Sequence, residues 1–259
     1  MLDTIQYLLG AGSGVLVGFV LALVGGGGSI LAVPLMVYLV GVPSPHVAIG
    51  TSALAVAANA LTGLLNHVRQ GNVKWRCALV YAAAGVAGAF VGSSAGKAFD
   101  GQKLLFLFAI VMIIVGLQML RHRRREGDPS VMLGRENAPK LVGYGLGTGL
   151  FSGFFGIGGG FLIVPGLVAA TGMPMINAVG SSLVAVSAFG LTTAANYAFS
   201  GLVDWGLAAV FIAGGIVGGV LGARLAKRLS GTQGRLTTVF AGLIFVVAVY
   251  MLWKSAAAL

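Results

Sequence analysis

Two glycine-rich runs carry the most distinctive chemistry in this sequence: Gly25–Gly28 followed by Ser29, and Gly156–Gly160, interrupted only by Ile157. Each leads shortly to a proline, Pro34 or Pro165. A tight glycine turn that opens a half-helix leaves several backbone N–H groups unpaired, and their partial positive charge suits an anion. Without side chains, the backbone approaches a ligand closely. Gly26, Gly27, Gly28 and Ser29, with Gly158, Gly159 and Gly160, are therefore the first candidate substrate-binding residues. No βαβ pattern surrounds either run, which argues against a Rossmann or P-loop reading. The plain alternative is a hairpin with tight helix packing.

Polar side chains form a second candidate set. Ser52, Asn59 and Asn66 are spaced by seven, with Thr62 between them, so they share one helical face. The corresponding stripe later in the chain is Ser182, Thr192 and Asn196, joined by Ser181, and Thr51 adjoins the first. Buried hydroxyls and amides must find hydrogen-bond partners, either a substrate oxygen or a neighbouring helix backbone. Thr51, Ser52, Asn59, Asn66, Ser181, Ser182 and Asn196 are accordingly read as possible substrate contacts. The six acidic residues are Asp3, Asp100, Glu126, Asp128, Glu136 and Asp204, and none falls in the middle of an apolar run. No Lys or Arg does either. A site built this way relies on dipoles and neutral donors, which favours a small anionic substrate over a cation. His67 follows Asn66 and is a candidate for proton coupling, with an interfacial anchor as the plain reading. Three scattered His and the single Cys77 offer no metal site, and no Ser-His-Asp set supports catalysis. The expectation is a protein with no catalytic residues, cofactor or metal.

The elements that hold these residues follow from composition. Of 259 residues, 58% are hydrophobic and 8% charged, against roughly a quarter charged in an ordinary soluble domain. Long continuous apolar runs exclude disorder and disfavour an outer-membrane barrel. An all-α polytopic membrane protein remains, with the lipid bilayer as its partner. Ten segments emerge, at about 5–24, 29–41, 46–66, 76–97, 103–120, 139–156, 160–172, 175–199, 205–223 and 235–253. The second and seventh are too short for a straight crossing and each contains a proline, so they read as broken or re-entrant helices. Net charge is +10, but no basic face with aromatic platforms points to nucleic acid.

Thirteen of the sixteen Lys and Arg fall in the loops after segments three, five and nine. The positive-inside rule makes those loops cytoplasmic and places both termini outside. The N-terminal apolar run lacks a basic flank and reads as a span, not a cleaved signal. Residues 121–138 form a basic polar linker between a first membrane repeat, 1–120, and a second, 139–259. Residues 50–75 align with 180–205 without a gap at 11 of 26 identities, well above the roughly three or four that composition alone gives. The loop at 67–76 is basic whereas its partner at 197–206 carries Asp204 and no basic residue. The repeats are therefore expected to be inverted, the arrangement of many secondary transporters. Gly85, Gly88, Gly92 and Gly96, like Gly215, Gly218 and Gly222, read as close-packing positions. The residue pattern assigns no oligomeric state.

The run Gly-Gly-Gly-Gly-Ser-Ile-Leu-Ala-Val-Pro-Leu at 25–35 resembles a signature of the sulfite exporter TauE/SafE family. So does Gly-Ile-Gly-Gly-Gly-Phe-Leu-Ile-Val-Pro-Gly-Leu at 156–167, and Gly50-Thr51-Ser52, Asn66-His67 and Gly71-Asn72-Val73 fit the same family. The resemblance covers nearly the whole chain. It implies transport of sulfur-containing anions, such as sulfite or organosulfonates, across the bacterial inner membrane. Members differ in substrate and direction. Export is favoured here, with proton-coupled uptake or an anion channel as alternatives. The second copy departs from the first at Ser181 for Thr51 and Phe189 for Asn59.

Overall fold

The computed structural model describes residues 3–24, 26–121, 128, 131–158, 160–228 and 233–256, and among them every regular element is helical. In lipid the backbone must satisfy its own hydrogen bonds, and helices do so within one segment. The order begins with α1 (Thr4–Val24) and a broken segment. That segment winds as a 3-10 stretch over Gly26–Leu31, one α turn α2 (Ala32–Pro34) and a π turn over Leu35–Leu39. Then follow α3 (Pro45–Arg69), α4 (Trp75–Ala98), α5 (Gly101–Arg121), α6 (Ala138–Phe155), α7 (Gly160–Thr171), α8 (Met175–Ala198), α9 (Trp205–Arg228) and α10 (Gln233–Ala256). All ten expected segments are present. By length and composition five of these helices, α1, α3, α4, α8 and α9, can cross a membrane. The twelve-residue α7 reaches only roughly 18 Å.

Side chains at the ends fix where the helices start. Ser44 Oγ accepts from the Val47 amide at the head of α3, with Pro45 in the first turn. Asp100 Oδ1 accepts from the Gln102 and Lys103 amides, and Asp204 Oδ1 from the Leu207 amide, so two of the few carboxylates cap α5 and α9. Pro34 lacks the N–H that would continue a helix, and the winding of the second segment changes there from α to π; α7 differs from expectation, being short but running unbroken through Pro165. The second segment is broken, as expected. Its glycines wind directly into 3-10 geometry because Gly28 lies against the α1 backbone at Val20 and Leu21.

Helices α3 and α8 pack against each other at the centre, α1 lies on α9, α4 lies on α6, and α5 lies on α10. The α1–α9 and α4–α6 contacts run on glycine. A Cβ added to Gly14 or Gly18 would strike the carbonyl of Phe211 or Gly215. Residues at the same spacing do this on the other side: Gly145 meets the Tyr81 carbonyl and Gly149 the Gly85 carbonyl. Dispersion at such backbone-to-backbone distance holds helices together where lipid removes the hydrophobic drive.

The contacts between the two copies are reciprocal. Thr51 Oγ1 accepts from the Asp204 amide at 2.9 Å, and Ser181 Oγ accepts from the Lys74 amide at 2.9 Å. Gly50 faces the Leu202 carbonyl, and Gly180 faces that of Asn72. Each pair maps onto the other when 130 is added to one member and subtracted from its partner.

One prediction follows from the glycine contacts. Gly149→Ala pushes a methyl into the Gly85 carbonyl and is expected to destabilise the protein by about 1–3 kcal/mol. Gly147→Ala, one turn face away with nothing within 4 Å of an added Cβ, is expected to leave stability unchanged or slightly raised. Melting temperatures of the two variants in detergent check this. Equal melting points would mean that α4 and α6 are not in close contact.

Candidate functional site

The second glycine turn sits where α3 and α8 cross. Gly156 ends α6 in the left-handed region at φ 67°, and Gly158 adopts φ 65°. A side chain at either position would be strained. Space is also lacking: a Cβ on Gly156 would strike Ile49, and one on Gly158 would lie 2.8 Å from Val56 Cγ1 and 3.4 Å from Val186 Cγ1. Val56 and Val186 are equivalent positions of the two copies, so Gly158 lies between matched points on the two central helices. Gly160 is buried and opens α7, whose first amides have no partner within their own helix. Gly159 lies outside the described residues.

One face of α3 runs along this turn. Ile49 touches Gly156, and Ser52 Oγ donates to the carbonyls of Ile49 at 3.0 Å and Gly156 at 3.4 Å. Val56 follows at Gly158, and Asn59, one turn further, presses against Gly215 of α9. Asn59 is 2% exposed, and neither Nδ2 nor Oδ1 has a hydrogen-bond partner. An amide buried inside a bundle without partners costs about 1–3 kcal/mol. Its counterpart Phe189 packs against Gly85, the counterpart of Gly215, and stacks on Tyr81 at 6.4 Å between ring centroids. The same pocket thus holds an aromatic ring in one half and an unsatisfied amide in the other.

The remaining candidates lie elsewhere. Gly26 and Gly27 belong to the 3-10 stretch, which packs against α1 and α7. Gly28 and Ser29 are fully buried there. Thr51 and Ser181 make the reciprocal hydroxyl bonds between the copies, and Ser182 Oγ donates to the Val179 carbonyl within its own helix at 2.8 Å. Asn66 is exposed near the end of α3. His67 is half-buried beside it, with an unbonded Nδ1 that faces Gly180. Asn196 is fully engaged. Its Oδ1 accepts from Lys97 Nζ at 2.8 Å, and its Nδ2 donates to Ser93 and Ser94 hydroxyls at 2.7 and 2.9 Å. Ser52 and Val56 of α3 thus meet the turn at Gly156 and Gly158, with Asn59 one helical turn further along against α9, whereas Asn66 and His67 lie at one end of the bundle and Asn196 at the other.

Lys97, Tyr197 and His46 cluster at that second end, and none of them is among the candidates drawn from the sequence. An apolar groove of about 450 Å³ lined by residues including Tyr144, Thr148, Phe151 and Leu162 shares no residue with the Asn59 stripe.

Comparison with known proteins agrees with this architecture. The family model described as "Sulfite exporter TauE/SafE" matches residues 10–251. A protein of Xylella fastidiosa strain Temecula1, named "Probable membrane transporter protein", is 53% identical over 99% of both chains. "Probable membrane transporter protein YunE" of Bacillus subtilis is 28% identical over 78% of this chain and 81% of its own. "Probable membrane transporter protein MJ0441" of Methanocaldococcus jannaschii is 26% identical over 65% of each. No solved structure matches the chain. With a family match across nearly its whole length and a relative more than half identical from end to end, this multi-pass membrane protein belongs to the sulfite exporter TauE/SafE family and is a membrane transporter, not an enzyme.

Proposed function

We propose that this transporter moves small sulfur-containing anions, sulfite or an organosulfonate, across the bacterial inner membrane by alternating access of two inverted repeats, in the direction of export. The observation that carries the reading is the unbonded Asn59 amide, which lies one helical turn along α3 from Val56, the residue that meets the left-handed Gly158. Asn59 Nδ2 and the first amides of α7 supply neutral donors to an oxyanion, with no carboxylate nearby to repel it. Neutral donors bind without a fixed countercharge, so release stays feasible. Reciprocal contacts between the copies support an exchange of conformations between halves. Gly156, Gly158 and Asn59 are buried against residues of α3, α8 and α9, so on this reading a passenger reaches them when the halves shift.

Direction follows from the membrane potential. Each negative charge leaving a negative cytoplasm gains about 2.3 kcal/mol per 100 mV, so export of an anion needs no coupled ion. The test is counterflow in liposomes with purified protein, using sulfite, thiosulfate, sulfoacetate and taurine. Trans-stimulation of labelled flux by at least one sulfur anion is expected. Absence of flux with all four overturns the substrate class, and single-channel currents without counterflow overturn the carrier.

Proton-coupled uptake is a second reading with one observation behind it, the unbonded and buried Nδ1 of His67 against Gly180. It requires that raising external pH abolish accumulation in vesicles and that His67→Gln do the same. Unchanged accumulation in both removes it.

A further inference from the structure

The last turns of α4 and α8 meet at one rim of the bundle, and a lysine is drawn into the junction. Lys97 Nζ donates to the Asn196 carbonyl at 2.9 Å, to Asn196 Oδ1 at 2.8 Å and to Ser200 Oγ at 2.9 Å. All three acceptors are neutral. The nearest carboxylates along the chain are already engaged with amides, Asp100 at the head of α5 and Asp204 at the head of α9. The ammonium also lies 5.9 Å from the centroid of the Tyr197 ring. Tyr197 is 0% exposed, and its hydroxyl has no hydrogen-bond partner. The ring of His46, in the first turn of α3, is 6.4 Å from that of Tyr197, and its Nδ1 is likewise buried and unbonded.

Helix capping explains part of this. Two C-terminal ends favour a cation between them, and the bonds to Asn196 fit that role. Capping leaves the ammonium without a carboxylate counter-charge. It does not account for a tyrosine hydroxyl and an imidazole nitrogen left unpaired in the same buried corner, where each is costly.

We infer that Lys97, Tyr197 and His46 form a second anion-binding station, at the end of the molecule opposite His67, that receives an oxyanion on its way to or from Asn59. This rests on the anion-transport reading above. The exposed Ser200 hydroxyl is the replaceable ligand: an anionic oxygen in its place makes a charge-assisted bond about twice as strong. The Tyr197 hydroxyl supplies a second donor, and His46 a third through Nδ1–H. The ammonium gives long-range attraction that the neutral central site lacks.

Sulfite flux in proteoliposomes as a function of concentration tests the station with Lys97→Gln, Lys97→Arg and Tyr197→Phe. Loss of the charge is expected to raise KM about tenfold while kcat stays within about twofold, and the arginine variant is expected to recover most of the loss. The KM of Lys97→Gln is also expected to lose the ionic-strength dependence of the unmodified protein. Tyr197→Phe is expected to raise KM about threefold without lowering Tm, since its hydroxyl makes no bond to the protein. An unchanged KM in both Lys97→Gln and Tyr197→Phe overturns the station. So does a joint fall of kcat and Tm in Lys97→Gln with a silent Tyr197→Phe, which is the signature of capping alone. If the unmodified protein moves sulfite with kinetics that neither variant alters, only the station fails; if it moves no sulfur anion, the anion reading fails and the station with it.

Discussion

Asn59→Leu is expected to raise the melting temperature and to reduce anion flux by about tenfold to a hundredfold. The two side chains have similar size, so leucine fits against Gly215 with little change in packing. Stability rises because a buried amide with no partner is removed; the gain is about 1–3 kcal/mol. Flux falls because a hydrogen bond to a charged ligand is worth about 1.5–3 kcal/mol, and each 1.4 kcal/mol is about a factor of ten. The opposite signs are what separate a binding residue from a structural one. Thermal melts in detergent and counterflow in liposomes measure the two quantities. Lower stability with unchanged flux would assign Asn59 to packing.

Gly158→Leu is expected to abolish transport while leaving membrane insertion intact. The φ of 65° there costs a branched side chain roughly 1–2 kcal/mol. The larger effect is steric, since a Cβ already lies 2.8 Å from Val56 Cγ1 and 3.4 Å from Val186 Cγ1. The rest of a leucine has to push α3 and α8 apart at their crossing. Gly158→Ala is the graded control: its methyl is absorbed by a small shift of Val56, and partial flux is expected. Yield in the membrane fraction and a single gel-filtration peak check insertion, and counterflow checks function. Normal flux in Gly158→Leu would mean that the turn is remote from the passenger's route.

Much of the architecture was legible because lipid leaves few options. Continuous apolar runs can only be helices, and Pro34 marked the one that is broken, whereas the helix around Pro165 is short but continuous. The sequence offset of 130 residues also relates two hydrogen bonds, Thr51 with Asp204 and Ser181 with Lys74. Glycines at helical spacing on α4 and α9 read as packing positions, and the added-Cβ contacts of Gly88 and Gly218 with facing carbonyls bear this out. The winding of Gly26–Leu39 was not legible, since a glycine run has no preferred geometry and takes the one its neighbours impose. Roles of polar side chains were legible only as alternatives. Whether a serine meets a ligand or another helix depends on which backbone faces it, as Ser52 at Gly156 and Ser182 at Val179 illustrate. Lys97 was hidden for a different reason: at the end of a span it counts as a loop charge, and only the approach of α8 draws it inward.

A density map of the protein in lipid nanodiscs with saturating sulfite tests the central claim most directly. The expected result is a compact anion peak at hydrogen-bond distance, about 3 Å, from Asn59 Nδ2 and from amides at the Gly158–Gly160 turn, gone when the map is repeated with Asn59→Leu. A map in which that turn and Asn59 stay in dry side-chain packing, with the anion bound elsewhere or nowhere, would contradict it.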